Sequence, residues 1–138
     1  MYTLLPAHNM TAEQVDALED RLYVHNSQAT GQDDAQGIGF VVESGTEGLI
    51  GAAAGYSWAG SAELQQLWVS EAHRGQGLGR QLLAAFVATA AGRGARRVFT
   101  ASYDFQAPEF YERAGFIRVA ELEGWPDGHR NIILRLDL

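Results

Sequence analysis

The residues of this chain best suited to chemistry on an anion are Arg74-Gly75-Gln76-Gly77-Leu78-Gly79-Arg80. Between a strand and a helix, glycines let backbone N–H groups converge without side-chain obstruction, and the helix N-terminus adds about half a positive charge. The segment is therefore a candidate anion cradle. A Walker-type phosphate loop ends in Gly-Lys-Ser or Gly-Lys-Thr, and every basic residue here is an arginine, which disfavours a P-loop NTPase. A dinucleotide fingerprint starting at Gly75 needs glycine at position 80, where Arg80 stands, and the turn follows several strands instead of opening the chain. Arg74, Arg80, Arg93, Arg96 and Arg97 lie close together in an otherwise acidic sequence; a solvated helix face is the plain alternative for each taken singly.

The cradle needs a strand before it and a helix after it, and the pattern supplies both. Ala62 to Ser70 reads as a strand, and Gln81 to Ala91 carries Leu82, Leu83, Phe86, Val87 and Ala90 on one helical stripe. Upstream, Thr11-Ala12-Glu13-Gln14 has capping-box spacing and predicts a helix over about residues 12–24, followed by a polar loop or short irregular helix from Asn26 to Gly37. Ile38 to Glu43 and Leu49 to Tyr56 predict a hairpin. Downstream, Arg97 to Ser102 is a strand, Pro108 opens a short helix to about Ala114, and Phe116 to Leu122 and Asn131 to Leu136 are strands joined across Gly124-Trp125-Pro126-Asp127-Gly128. The order is that of a mixed α/β or α+β fold.

A chain of 138 residues suits one domain, 1–138. Zero cysteines exclude a disulfide framework, thiolate zinc ligation and a Cys-acyl intermediate. The net charge of -7 argues against a nucleic-acid partner and mildly favours cationic ones. Met1 to Pro6 lacks a basic leader, and no apolar run approaches the ~20 residues of a membrane span, so a cytoplasmic protein with no membrane partner is expected. His8, His25, His73 and His129 are scattered without helical zinc spacing, and no catalytic metal is expected.

Arg74, Gly77 and Gly79 fill an Arg/Gln-x-x-Gly-x-Gly/Ala pattern. The preceding strand ends in Leu67-Trp68-Val69, and Phe110-Tyr111-Glu112-Arg113-Ala114-Gly115-Phe116 follows later. These three segments, in this order, resemble the GNAT superfamily of N-acetyltransferases, over roughly residues 38–136. The resemblance implies a central, mostly antiparallel sheet of about six to seven strands, splayed between strands 4 and 5 and flanked by about four helices. It implies acetyl-CoA as co-substrate, its pyrophosphate on Arg74, Gly75, Gln76, Gly77, Leu78, Gly79 and Arg80 and its pantetheine arm along the free backbone of Leu67 and Val69.

Direct attack on a thioester needs a neutral amine and a protonated leaving thiol. Glu63 is the first candidate base: counted along the strand it shares parity with Gln65, Leu67 and Val69, and its place resembles the catalytic glutamate of the histone-acetylating branch; a solvated strand carboxylate or a water relay is the alternative. Tyr111 matches the family's general-acid tyrosine, against a half-buried packing role; Tyr103 is a substitute. His25, His129, Trp58 and Trp125 are candidates to line an acceptor pocket. The expected reaction is acetyl transfer to a primary amine of a small molecule, protein or peptide in a ternary complex, by a protein for which a homodimer is left open. The rival is a non-catalytic acyl-CoA-binding sensor or interaction module.

Overall fold

In the computed structural model, which describes residues 1–138, Thr11 opens the first helix, α1 (Ala12–Thr30), by a reciprocal capping box. Its Oγ1 accepts the Gln14 N–H at 3.2 Å, and Gln14 Oε1 accepts the Thr11 N–H at 2.8 Å. The helix runs further than the pattern suggests, continuing without a break through the Asn26–Thr30 stretch expected to be a loop or short irregular helix. Nothing there breaks a helix until Gly31, which takes a left-handed conformation (φ 69) and donates its N–H to the Ser27 carbonyl. Residues Met1–Asp33 form one unit and Asp34–Leu138 a second. No helix is long and apolar enough to cross a membrane.

The second unit contains β1 (Gln36–Ser44), β2 (Gly48–Trp58), β3 (Ser61–Val69), a 3-10 turn (Glu71–His73), α2 (Leu78–Gly92), β4 (Arg97–Tyr103), α3 (Pro108–Arg113), β5 (Ile117–Glu123) and β6 (Arg130–Asp137). The strands make one six-stranded sheet in the order β1-β2-β3-β4-β6-β5. All neighbours are antiparallel except β3 and β4. The β2–β3 link is a two-residue hairpin at Ala59 (φ 53) and Gly60 (φ 85), whose paired positive φ values match the twist of the flanking strands. Fold class agrees with expectation. The helices are three, with the 3-10 turn beside them, and the strand carrying Leu67 and Val69 is the third of this chain, because the segment before α1 forms no strand.

Two irregularities in β3 shape the sheet. Ala54 pairs with Gln66 but Gly55 with Leu64, so Gln65 is an extra, bulged residue. The parallel pairing with β4 runs only from Ser61↔Arg97 to Leu64↔Thr100, after which β3 continues with β2 alone and β4 with β6 alone. The sheet is therefore closed at one end and parted at the other, between β3 and β4.

Helix α2 covers the β1–β3 half. Its Leu82, Leu83, Phe86 and Ala90 are buried, Phe86 completely, and they join Ile38, Ala53, Ala62 and Leu64 in a core that continues through Val98, Ile132 and Leu134. Glycines in β2 allow the close approach. A Cβ at Gly51 would stand 3.2 Å from Leu82 Cδ1, and one at Gly55 would overlap the Glu63 carbonyl, which the bulge turns towards it, and touch Phe86 at 3.0 Å.

That geometry predicts that Gly55→Ala lowers stability by about 1–3 kcal/mol, the usual range for overpacking, whereas Gly92→Ala, at a position with nothing within 4 Å of the added carbon, is neutral or slightly stabilising. Urea unfolding of both variants checks this; equal midpoints would show that the bulge relaxes around the added carbon.

Candidate active site

The gap between β3 and β4 is the floor of a cleft of about 1060 Å³, walled by β3 residues 65–69, the turn after β3, the start of α2, Thr100 to Ser102 of β4 and Phe110 and Tyr111 of α3. Along β3 the backbone faces it. The Ser70 N–H donates to the Ile50 carbonyl at 2.9 Å. Bonded and non-bonded pairs alternate in an antiparallel ladder, so the register Ala52↔Trp68, Ala53↔Leu67 turns the N–H and C=O groups of Leu67 and Val69 away from β2, towards the gap. One of these groups is already used, because Arg74 Nε donates to the Val69 carbonyl at 3.1 Å. Both Leu67 groups and the Val69 N–H remain for a ligand.

The glycine turn closes the open end of the cleft. Gly75 (φ 77) and Gly77 (φ 83) are left-handed, a conformation that suits glycine. Gly77 is the N-cap of α2 and has no side chain to satisfy the first turn, so the N–H groups of Leu78, Gly79 and Arg80 carry no side-chain cap. Arg74, Gly75, Gly77, Leu78, Gly79 and Arg80 line the cleft together; Gln76 is not among its lining residues. Gly79 lies under α3, with a Cβ there 3.5 Å from the Phe110 ring. His73, which the sequence did not single out for this purpose, braces the turn: Nδ1 bonds the Ser70 hydroxyl at 2.6 Å and Nε2 the Glu47 carboxylate at 2.9 Å.

Tyr111 sits at the closed end. Its side chain is buried, 8% exposed, in edge contact with Phe110 (5.1 Å) and Phe116 (5.6 Å). Burial pushes its pKa above the usual value of 10, partly offset by a hydrogen bond with the Thr100 side chain. The phenol is thus neutral well past physiological pH. Thr100 Oγ1 donates to the Leu64 carbonyl at 3.0 Å. That bond marks the last paired register of β3 and β4, Leu64↔Thr100. Thr100 carries no motif, and the burial of its strand position was the only signal for it.

The face assigned to Glu63 is corrected. The bulge at Gln65 reverses the alternation of side chains, so Leu67 and Val69 lie on the α2 side while Glu63 lies on the opposite side of the sheet. Its carboxylate accepts the Tyr56 hydroxyl at 2.9 Å and lines a smaller pocket with Tyr56, Trp58 and Phe99. The arginine cluster also divides. Arg93 Nη1 donates to the Gln36 and Gly37 carbonyls (3.0 and 2.9 Å) and to Ser57 Oγ (3.2 Å), a structural clamp, and Arg96 lies against Gly60. Arg74 and Arg80 stay at the cleft, joined there by Arg113 of α3. Of the other candidates, Tyr103 stacks on Phe105 at 5.4 Å, and His129 bonds Asp104 at 2.9 Å with its ring against Phe105, near the cleft rim.

Known proteins share this fold. An acetyltransferase of Agrobacterium fabrum is 30% identical over 111 residues, covering 80% of this chain and 81% of that one. The crystal structure of an acetyltransferase from Bacillus cereus matches with a TM-score of 0.79 at 25% identity, over 97% of this chain and 98% of that one. An aminoglycoside 6'-N-acetyltransferase complexed with coenzyme A has a TM-score of 0.65 at 17% identity, a likeness of fold, over 95% and 94% of the two chains. The family model for acetyltransferases of the GNAT type matches residues 5–116. With the parted sheet, the uncapped glycine turn and the buried tyrosine already in place, the match is decisive: this chain belongs to the acetyltransferase (GNAT) family.

Proposed function

We propose that the protein transfers the acetyl group of acetyl-CoA to a primary amine by direct attack within a ternary complex. One observation carries the reading. A single cleft has uncapped helix N–H groups and arginines at one end and a buried, neutral phenol at the other, with an unsatisfied strand edge between them. The pyrophosphate is the anion for the turn, and an extended amide-containing arm is the ligand that completes an open strand edge. The coenzyme A held by the aminoglycoside acetyltransferase of the same fold supports this assignment.

In the transfer, the amine nitrogen bonds to the thioester carbonyl carbon, the C–S bond breaks, and the thiolate takes the Tyr111 proton. A neutral phenol suits that role, since it holds its proton until the sulfur needs it. The proton shed by the amine passes to Glu63, directly or through water.

The cradle is tested with Gly77→Val, which places a branched side chain at a left-handed φ of 83 and should weaken CoA binding by more than about tenfold by calorimetry. A folded variant that binds as tightly as the parent would place the pyrophosphate elsewhere.

Tyr111→Phe keeps the ring and deletes the donor. It should cut kcat by about 100-fold or more while leaving acetyl-CoA affinity nearly unchanged, a loss confined to the transition state. The pH profile carries the sign: because burial raises the Tyr111 pKa, the alkaline loss of its donor function begins only above the ordinary tyrosine pKa of about 10. Full turnover in the variant, under conditions where chemistry limits the rate, would remove Tyr111 from the mechanism. Binding of acetyl-CoA with no thiol released on any amine would instead identify a sensor module.

A further inference from the structure

The second pocket lies on the sheet face that α2 does not cover. A Cβ on Gly55 would point at Phe86 of α2, so the neighbouring Tyr56 and, two residues on, Trp58 point to the other face. Tyr56 pairs with Glu63, and Glu63 with Phe99, so these side chains stand in one row across three strands. Together with Ser61 and Ala62 they enclose about 180 Å³.

We propose that Tyr56, Trp58, Glu63 and Phe99 bind the alkylammonium head of the acceptor. Three aromatic residues lining one pocket with a carboxylate suit a compact cation, because an aromatic face attracts a cation and the carboxylate supplies a full charge. The hydrogen bond from Tyr56 engages Oε2 and leaves Oε1 to face a ligand. The arginine across from Phe99, Arg135, is paired with Asp137 at 2.9 and 3.2 Å. An anion is repelled, and a neutral molecule of the same shape gains only apolar burial.

The position gives the site its meaning. Glu63↔Phe99 is one register before Leu64↔Thr100, where β3 and β4 part. An ammonium held there lies beside the apex of the gap but on the face opposite α2, so acceptor and donor approach the same point from the two sides of the sheet. The assignment of this cation as the acceptor rests on the acetyl-transfer reading; the binding of the cation does not.

Binding is therefore tested without turnover. The indole N–H resonances of the protein are followed by NMR during titration with propylammonium and tetramethylammonium, with tert-butanol as the neutral isostere; Trp68→Phe and Trp125→Phe assign the Trp58 signal. The ammonium ions should shift the Trp58 signal in a saturable way and tert-butanol should not. Glu63→Gln should weaken the ammonium binding by about tenfold. Phe99→Leu, which keeps the Trp58 reporter, should weaken it by a similar factor. A lysine-containing peptide that binds more tightly than propylammonium identifies a peptide source for the cation, and one that binds more weakly a free amine. Equal response to tert-butanol, or undiminished binding in Glu63→Gln, overturns the proposal. If the ammonium ions bind but no amine releases CoA from acetyl-CoA, the pocket stands and the acetyl-transfer reading falls.

Discussion

Backbone hydrogen bonding along β3 constrains the rest of the second unit. A strand has donors and acceptors on both edges, and those facing a protein interior must be satisfied. On the β2 side this is complete to Ser70. On the β4 side it stops at Leu64, where the Thr100 hydroxyl takes the carbonyl. Beyond that point the strand offers Leu67 and Val69 to a groove, and what fills the groove has to resemble a strand. The glycine turn at one end and the phenol at the other follow from where that opening begins and ends.

Holding the opening in shape is the task of the elements around it. Helix α2 is fixed at its C-terminal end by Arg93, whose guanidinium grips β1 and Ser57, and along its length by Leu82 and Phe86 pressed against the glycines of β2. Its N-terminal end is left bare. The turn before it is braced separately, by His73 between Ser70 and Glu47. Rigid support and an open first turn belong together, because a cradle of N–H groups gains strength from being set in place before the ligand arrives.

The glycine turn, the strand ending in Leu67 and Val69 and the position of Tyr111 were all legible in the sequence, because each depends on residue type at fixed spacing. The side of the sheet on which Glu63 lies was not. Counting by twos assumes an unbroken pleat, and the inserted residue at Gln65 has no compositional mark; its one trace is Gly55 on the neighbouring strand, which tolerates no Cβ beside the bulge. The end of α1 was misplaced for a simpler reason, since Asn26 and Ser27 are polar without being helix breakers. Arg93 looked like part of a basic patch because nearness in sequence says nothing of which carbonyls a long side chain reaches. Thr100 became visible only when its strand was set beside Leu64.

The short parallel seam between β3 and β4 also bears on how the molecule assembles. The β1–β2, β2–β3 and β5–β6 pairs each close over a few residues, at 45–47, 59–60 and 124–129, whereas Ser61 meets Arg97 only after the whole of α2 has been traversed. Chain entropy therefore weighs most heavily on the seam, and four residue pairs are all that zip it. A ligand that reaches across the gap recognises only chains in which the seam has closed, and its binding energy adds directly to the free energy of folding. For such a sheet a ligand that spans the gap is also a late structural component of the fold, and the supply of that ligand sets part of the fold's stability.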